Sequence, residues 1–184
     1  MLFWIISIVL SLLIITTVIY FNIFIRYRNR IKNAWSDIDV QLKQRYDLIP
    51  NLVEVVKQYA KYESNTLEEI TRKRSEYLNT TEIEQKAVSG SNVTKAMKNL
   101  FAIIENYPEL LADKSFINLQ NQLVSIEDSI QMARRYYNAV VRDNNIAVES
   151  FPGIVFSRFM GFRAGSFFEM DTLEKEVIMV KLKA

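Results

Sequence analysis

The chain has 184 residues, 23 Lys and Arg against 21 Asp and Glu, and neither cysteine nor histidine. That composition excludes disulfides, thiol nucleophiles, Cys/His zinc sites, a Ser-His-Asp triad and the Glu-x-x-His di-metal site of helical bundles. Four basic groups, Arg26, Arg28, Arg30 and Lys32, sit together; the other 19 are outnumbered by the 21 acidic groups, a balance that argues against nucleic acid as a partner.

The first element is apolar. Leu2 to Ile25 runs 24 residues without a charge, about 36 Å of helix, enough to span a bilayer with some tilt. A cleaved signal peptide would have a basic leader and a shorter apolar core. The run is therefore expected to be a retained transmembrane helix, residues 1–26. All the nearby Lys and Arg lie on its C-terminal side, so the positive-inside rule puts that side in the cytoplasm and the N-terminus outside. The cluster Arg26, Arg28, Arg30 and Lys32 sets this topology and can hold anionic headgroups, at about 1 kcal/mol per basic residue.

Beyond the span, only four Gly and three Pro occur in the whole chain, which favours long helices. Ile31, Trp35, Ile38 and Leu42, then Ile49, Val53, Val56, Ala60, Leu67 and Ile70, recur at helical spacing. A helix is expected over 27–78, with Pro50 kinking or reversing it and Asp47 available as a cap for the restart. Asn79 to Glu82 reads as a turn. A second helix follows over 82–107, with Ile83, Ala87, Met97, Leu100, Phe101 and Ile104 as its stripe. Gly90 suggests a local break in it, and Pro108 ends it.

The third helix has the clearest period. Phe116, Leu119, Leu123, Ile126, Ile130, Ala133, Tyr137, Val140, Asn144, Ala147 and Phe151 alternate steps of three and four, as a buried seam does. Asp113 or Ser115 can cap its start, and Phe151-Pro152-Gly153 stops it. The expected fold is all-α: a transmembrane helix, an antiparallel bundle of three long helices with a short C-terminal helix over 27–170, and a charged tail over 171–184.

Three constellations stand out. Asp37, Asp39 and Asp47 near Lys43, Arg45 and Arg30 read as a solvated face of weak ion pairs, or as a site for a cation or basic partner. Arg142, Asp143, Asn144 and Tyr137, with Arg134, Arg135 and Tyr136 close by, read as a polar network inside the bundle or as a partner groove. The aromatic stretch Ile154 to Phe168, with Phe156, Phe159 and Phe162 as contact residues, caps the bundle, joins subunits or meets lipid. If three long helices simply alternate in direction, that stretch starts about 57 Å from the tethering bilayer, which disfavours lipid.

Several motifs resemble the LemA family: Arg28 to Glu63 (RNRIKNAWSDIDVQLKQRYDLIPNLVEVVKQYAKYE), Asn106-Tyr107-Pro108-Glu109-Leu110, Tyr137-Asn138-Ala139-Val140-Val141-Arg142-Asp143, and the closing Phe151-Pro152, Gly161-Phe162 and Phe167-Phe168-Glu169. The chain has Asn144-Asn145 after Arg142-Asp143 where the family tends to Tyr-Asn, and Phe167 where a tyrosine is common. The resemblance implies a bacterial inner-membrane protein with an extracytoplasmic N-terminus and a cytoplasmic helical bundle. It implies no settled activity.

The residues thus point to a membrane-anchored scaffold or interaction module. The alternative is an inner-membrane organising protein acting through self-assembly and lipid contact. Carboxylates paired for acid-base work do not stand out, so neither an enzyme nor a catalytic, cofactor or metal site is expected. The expected partners are membrane lipids, one or more unidentified proteins and, as an open alternative, further copies of the chain.

Overall fold

The structure, a computed structural model, describes residues 1–168 apart from the side chains of Ile83 and Glu84. The charged tail expected over 171–184 lies outside the described residues, as does the Ile83 side chain of the expected stripe. The described chain is all-α: α1 (Leu2–Asp47), α2 (Ile49–Tyr59), α3 (Ser64–Leu78), α4 (Ile83–Ile104), α5 (Pro108–Leu111), α6 (Lys114–Glu149) and α7 (Gly153–Met160).

The expected helix over 27–78 is three helices. Pro50 lacks an N–H and cannot bond the carbonyl four residues back, that of Tyr46. The helix breaks at Leu48, and the Tyr46 carbonyl instead accepts a hydrogen bond from Arg74 Nε at 2.7 Å. Leu48, not Asp47, occupies the N-cap of α2, with no side-chain cap. The reversal comes later, at Ala60–Glu63, and α3 returns along the end of α1: Tyr77 donates to Asp39 at 2.7 Å.

Two compact units divide the chain. The described part of one is Asp39–Ile130. Leu42, Ile49, Leu52, Val56, Ile70, Leu100, Ile104, Leu110 and Phe116 are all fully buried there, each contributing roughly 1.5–3 kcal/mol of apolar burial. Helix α4 is unbroken at Gly90, contrary to the break expected from its sequence. Gly90 is there for space: a Cβ would lie 3.0 Å from the Tyr46 hydroxyl, which donates to the Gly90 carbonyl at 3.2 Å. Asp113 caps α6 as expected, accepting from the N–H groups of Ser115 and Phe116 at 2.8 and 3.0 Å.

The other unit comprises Met1–Ile38 and the described residues from Gln131. The first part of α1 and the last part of α6 run antiparallel in it: Trp35 meets Tyr137 edge-on at 5.9 Å, while Tyr20 lies beside Gly153. The apolar residues from Leu2 to Ile19 stand largely exposed, but Phe24, Ala34, Trp35 and Ile38 are buried. One end of α1 is thus long and apolar enough to cross a membrane, and the rest packs as a core helix.

Candidate functional site

The site grows from the end of the apolar run. Phe156 of α7 stacks on Tyr20, with ring centroids 5.0 Å apart and planes 12° from parallel. Phe162 lies 5.1 Å from Phe24 and 6.2 Å, edge-on, from Phe21. The stretch expected far from the bilayer therefore packs against the apolar run itself. Within this unit the last part of α6 runs antiparallel to the first part of α1, so the stretch is not carried away from the apolar run as a simple alternation of three helices would have it. Of the three aromatic contact residues expected, Phe156 and Phe162 are half-buried in this cluster, and only Phe159 stands out in the open, at 89% exposure.

After α7, Gly161 at φ 74° ends the helix in the left-handed region, which favours glycine. The chain then runs along α6 without helical structure as far as Phe168. Two asparagines of α6 hold it. Asn145 accepts from the Gly165 N–H at 2.7 Å and donates to the Gly165 carbonyl at 3.0 Å. Asn138, one heptad earlier, does the same for Phe168, at 2.8 and 3.1 Å. Each side-chain amide mimics a peptide group of a neighbouring strand and satisfies both polar groups of one residue. Tyr137 adds a hydrogen bond to the Ser166 carbonyl at 3.1 Å, and burial pushes its hydroxyl pKa up, so it stays a donor. The Phe168 ring stacks on Trp35 at 5.9 Å and 30°, with the Arg134 guanidinium 4.7 Å from its centroid.

This arrangement corrects the polar network read from the sequence. Arg142 and Asp143 are 65% and 50% exposed and meet only loosely, at 3.6 Å. Asn144 is buried, but its amide donates to Asn145 Oδ1 at 3.2 Å and reaches the Arg163 carbonyl only at 3.5 Å. Tyr137 is the one expected member in the clamp. Sequence reasoning missed Asn138 and Asn145 as site residues. The usable signal is two asparagines seven apart on a helix beside a buried seam, since Asn has little reason to sit mid-helix unless its amide is engaged. The basic residues Arg26, Arg28, Arg30 and Lys32 are all exposed on α1, with Arg30 6.0 Å from the Tyr27 ring centroid.

Of the acidic and basic residues read as a solvated face, Arg30, Asp37, Lys43 and Asp47 are exposed as expected, while Arg45 and Asp39 are bound more deeply. Arg45 is 3% exposed and donates to Glu127 at 2.6 Å, to Thr94 at 2.7 Å and to the Tyr46 hydroxyl at 3.2 Å. Asp39 receives Lys86 on both oxygens at 2.8 Å, besides Tyr77. Burial opposes ionisation of Asp39, but the hydrogen bonds from Lys86 and Tyr77 and the charges of Lys86 and Lys43 outweigh it and lower its pKa. Burial and the Asp39 carboxylate push the Tyr77 hydroxyl up. Asp37 is exposed, and Asp47 pairs with Arg74 at 3.5 Å. Asp39, Arg45 and Asp47 tie the end of α1 to α3, α4 and α6. Among the described residues, no acidic cluster could hold a metal ion.

A model of the LemA family matches residues 34–182. The chain is 25% identical over 188 residues to the magnetosome protein MamQ of Magnetospirillum gryphiswaldense, which covers 87% of this chain and 69% of that one. It is 23% identical over 182 residues to the magnetosome protein MamQ 2 of Paramagnetospirillum magneticum, covering 85% and 67%. Protein LemA of Metamycoplasma hominis is 29% identical over 135 residues, 71% of this chain and 60% of its own length.

Proposed function

The chain belongs to the LemA family, and from that premise we propose that it is a membrane-anchored helical scaffold, a protein-interaction module of the bacterial inner membrane. Its N-terminus lies outside and its helical units lie in the cytoplasm, an orientation supported by the cluster Arg26, Arg28, Arg30 and Lys32 just after the apolar run. The observation that carries the reading is the disposition of the polar groups. Arg45, Asp39 and Lys86 join helices to one another, and Asn138 and Asn145 hold the chain's own backbone. These side chains serve the architecture, as they do in a rigid display module.

Proximity labelling in intact cells, from a reporter fused at Ala184, tests this. A reproducible short list of captured proteins is the expected result, and it would name the pathway. Capture of this chain alone would sink the module reading in favour of the second one, an inner-membrane organiser acting through self-assembly and lipid contact. That second reading is favoured by the aromatic cluster of Tyr20, Phe24, Phe156 and Phe162 at the end of the apolar run.

A further inference from the structure

Helix α7 is two-faced, and its place along α1 gives the outer face a meaning. Gly153 and Ser157 are buried, with Ser157 Oγ donating to the Val148 carbonyl at 3.0 Å. On the other side Val155 is 44% and Phe159 89% exposed, and Phe151, in the turn before the helix, is 84% exposed. Arg158 lies beside Val155 and Phe159 along a shallow groove.

The level of this face follows from helix geometry. Residues 2–19 of α1 give about 27 Å of exposed apolar helix, close to the hydrocarbon thickness of about 30 Å. Tyr20 and Phe24, the α1 residues that α7 and Phe162 meet, lie about 9 and 3 Å before Arg26, the first charge after the run. They therefore fall at the boundary between acyl chains and headgroups. Large exposed aromatics beside an arginine, at that depth, are the composition of an interfacial helix.

We propose that the face of α7 formed by Phe151, Val155 and Phe159 is a membrane-docking surface, inserted at the headgroup boundary of the bilayer that α1 crosses. It rests on the reading of α1 as a membrane span. The occupant is lipid because the helix that carries the face is seated at the end of the apolar run: Phe156 of α7 stacks on Tyr20, and Phe162, just after α7, meets Phe21, which is 46% exposed on the run itself. Arg158 and Arg163, both exposed, supply positive charge for anionic headgroups, as Arg26 does on α1. Docking gives the membrane-proximal unit a second attachment, so that it lies against the bilayer instead of turning freely on one helix.

The absence of cysteine allows a direct test. Phe159→Cys, Leu10→Cys and Tyr62→Cys are each made in the full chain, labelled with an environment-sensitive fluorophore, and reconstituted in vesicles of zwitterionic and anionic lipid. Position 159 is expected to lose most of its fluorescence to quenchers carried shallow on the acyl chains, and position 10 to quenchers carried deep. Position 62, where the tyrosine is 97% exposed, is expected to respond to aqueous iodide alone. If 10 is quenched from lipid but 159 behaves like 62, α7 faces water and the docking proposal falls while the span stands. If 159 is shielded from lipid and iodide alike, protein covers the face and the proposal also falls. If 10 itself is not quenched from lipid, the span reading fails and takes the proposal with it.

Discussion

The two units hold themselves together with different chemistry. In the Asp39–Ile130 unit two ion pairs join the helices: Arg45 on Glu127, and Lys86 on Asp39. In the unit that contains the apolar run, neutral amides do the corresponding work: those of Asn138 and Asn145 hold the backbone of Phe168 and Gly165. A buried ion pair joins helices strongly but leaves a costly charge if one partner goes. A neutral amide clamp has a smaller penalty and is indifferent to pH, so it suits the holding of a non-helical segment through its backbone. The first kind of contact should fail abruptly on mutation or acidification, the second gradually.

The largest expected effect breaks the ionic side. Glu127→Ala leaves the Arg45 guanidinium buried without its charge partner and should destabilise the Asp39–Ile130 unit by about 3 kcal/mol. Arg45→Met should cost only about 1 kcal/mol, because Glu127, 37% exposed, can turn to water while the apolar side chain fills the site. Denaturant titration of the detergent-solubilised chain, read by hydrogen exchange at α3 and α4 amides, checks the asymmetry. Equal losses from the two variants would mean that the pair contributes packing rather than charge balance.

Next comes the clamp. Asn145→Ala removes both hydrogen bonds to Gly165 and should cost about 1–2 kcal/mol. Faster amide exchange at Gly165 and Phe168 is expected, with little change at α3 and α4. Trp35 is a second reporter through its contact with Phe168. Unchanged exchange at Gly165 would show that the aromatic contacts alone hold the segment.

Acidification sharpens the contrast. Because the folded pKa of Asp39 lies below its ordinary value of 3.8, its contribution is fully present above that value and is lost as the pH falls through the folded one. Lowering the pH below about 4 should therefore loosen the Lys86–Asp39–Tyr77 contact, while the asparagine clamp carries no group that titrates there. Asp39→Asn should flatten that part of the pH dependence of α3 and α4 exchange. If it persists unchanged in the variant, other carboxylates carry it.

The smallest effect belongs to the pair that looked most like a network in the sequence. Arg142→Ala and Asp143→Ala should each change stability by less than about 0.5 kcal/mol, as exposed ion pairs do. A larger loss in thermal melts would restore them to the structural core.

Periodicity made the helices legible, because a helix must turn its apolar residues to one side whatever it meets there. Phe116, Leu119, Leu123, Ile130, Val140 and Asn144 of the predicted α6 seam are buried, whereas Phe151, its last expected member, lies past the helix end and is exposed. So are Trp35, Ile38 and Leu42 of α1, and the Asp113 cap formed as its local spacing implies. Partners at long range were not legible. Period alone could not say that Gly90 makes room for the Tyr46 hydroxyl, or that the helix expected over 27–78 folds back at Ala60–Glu63. Nor could it say that Asn138 and Asn145, rather than Arg142 and Asp143, face the chain's last described residues. A one-position difference around a helix is a turn of about 100°, and only packing decides which polar residue ends up inside.

The sequence by itself determined the apolar run, the basic cluster that follows it and the all-α class, because length, charge and spacing act locally. The tertiary structure alone decided where α7 lies. The last part of α6 runs antiparallel to the first part of α1, and that pairing sets Phe156 and Phe162 against Tyr20 and Phe24 at the end of the apolar run, a long-range contact that local spacing does not encode.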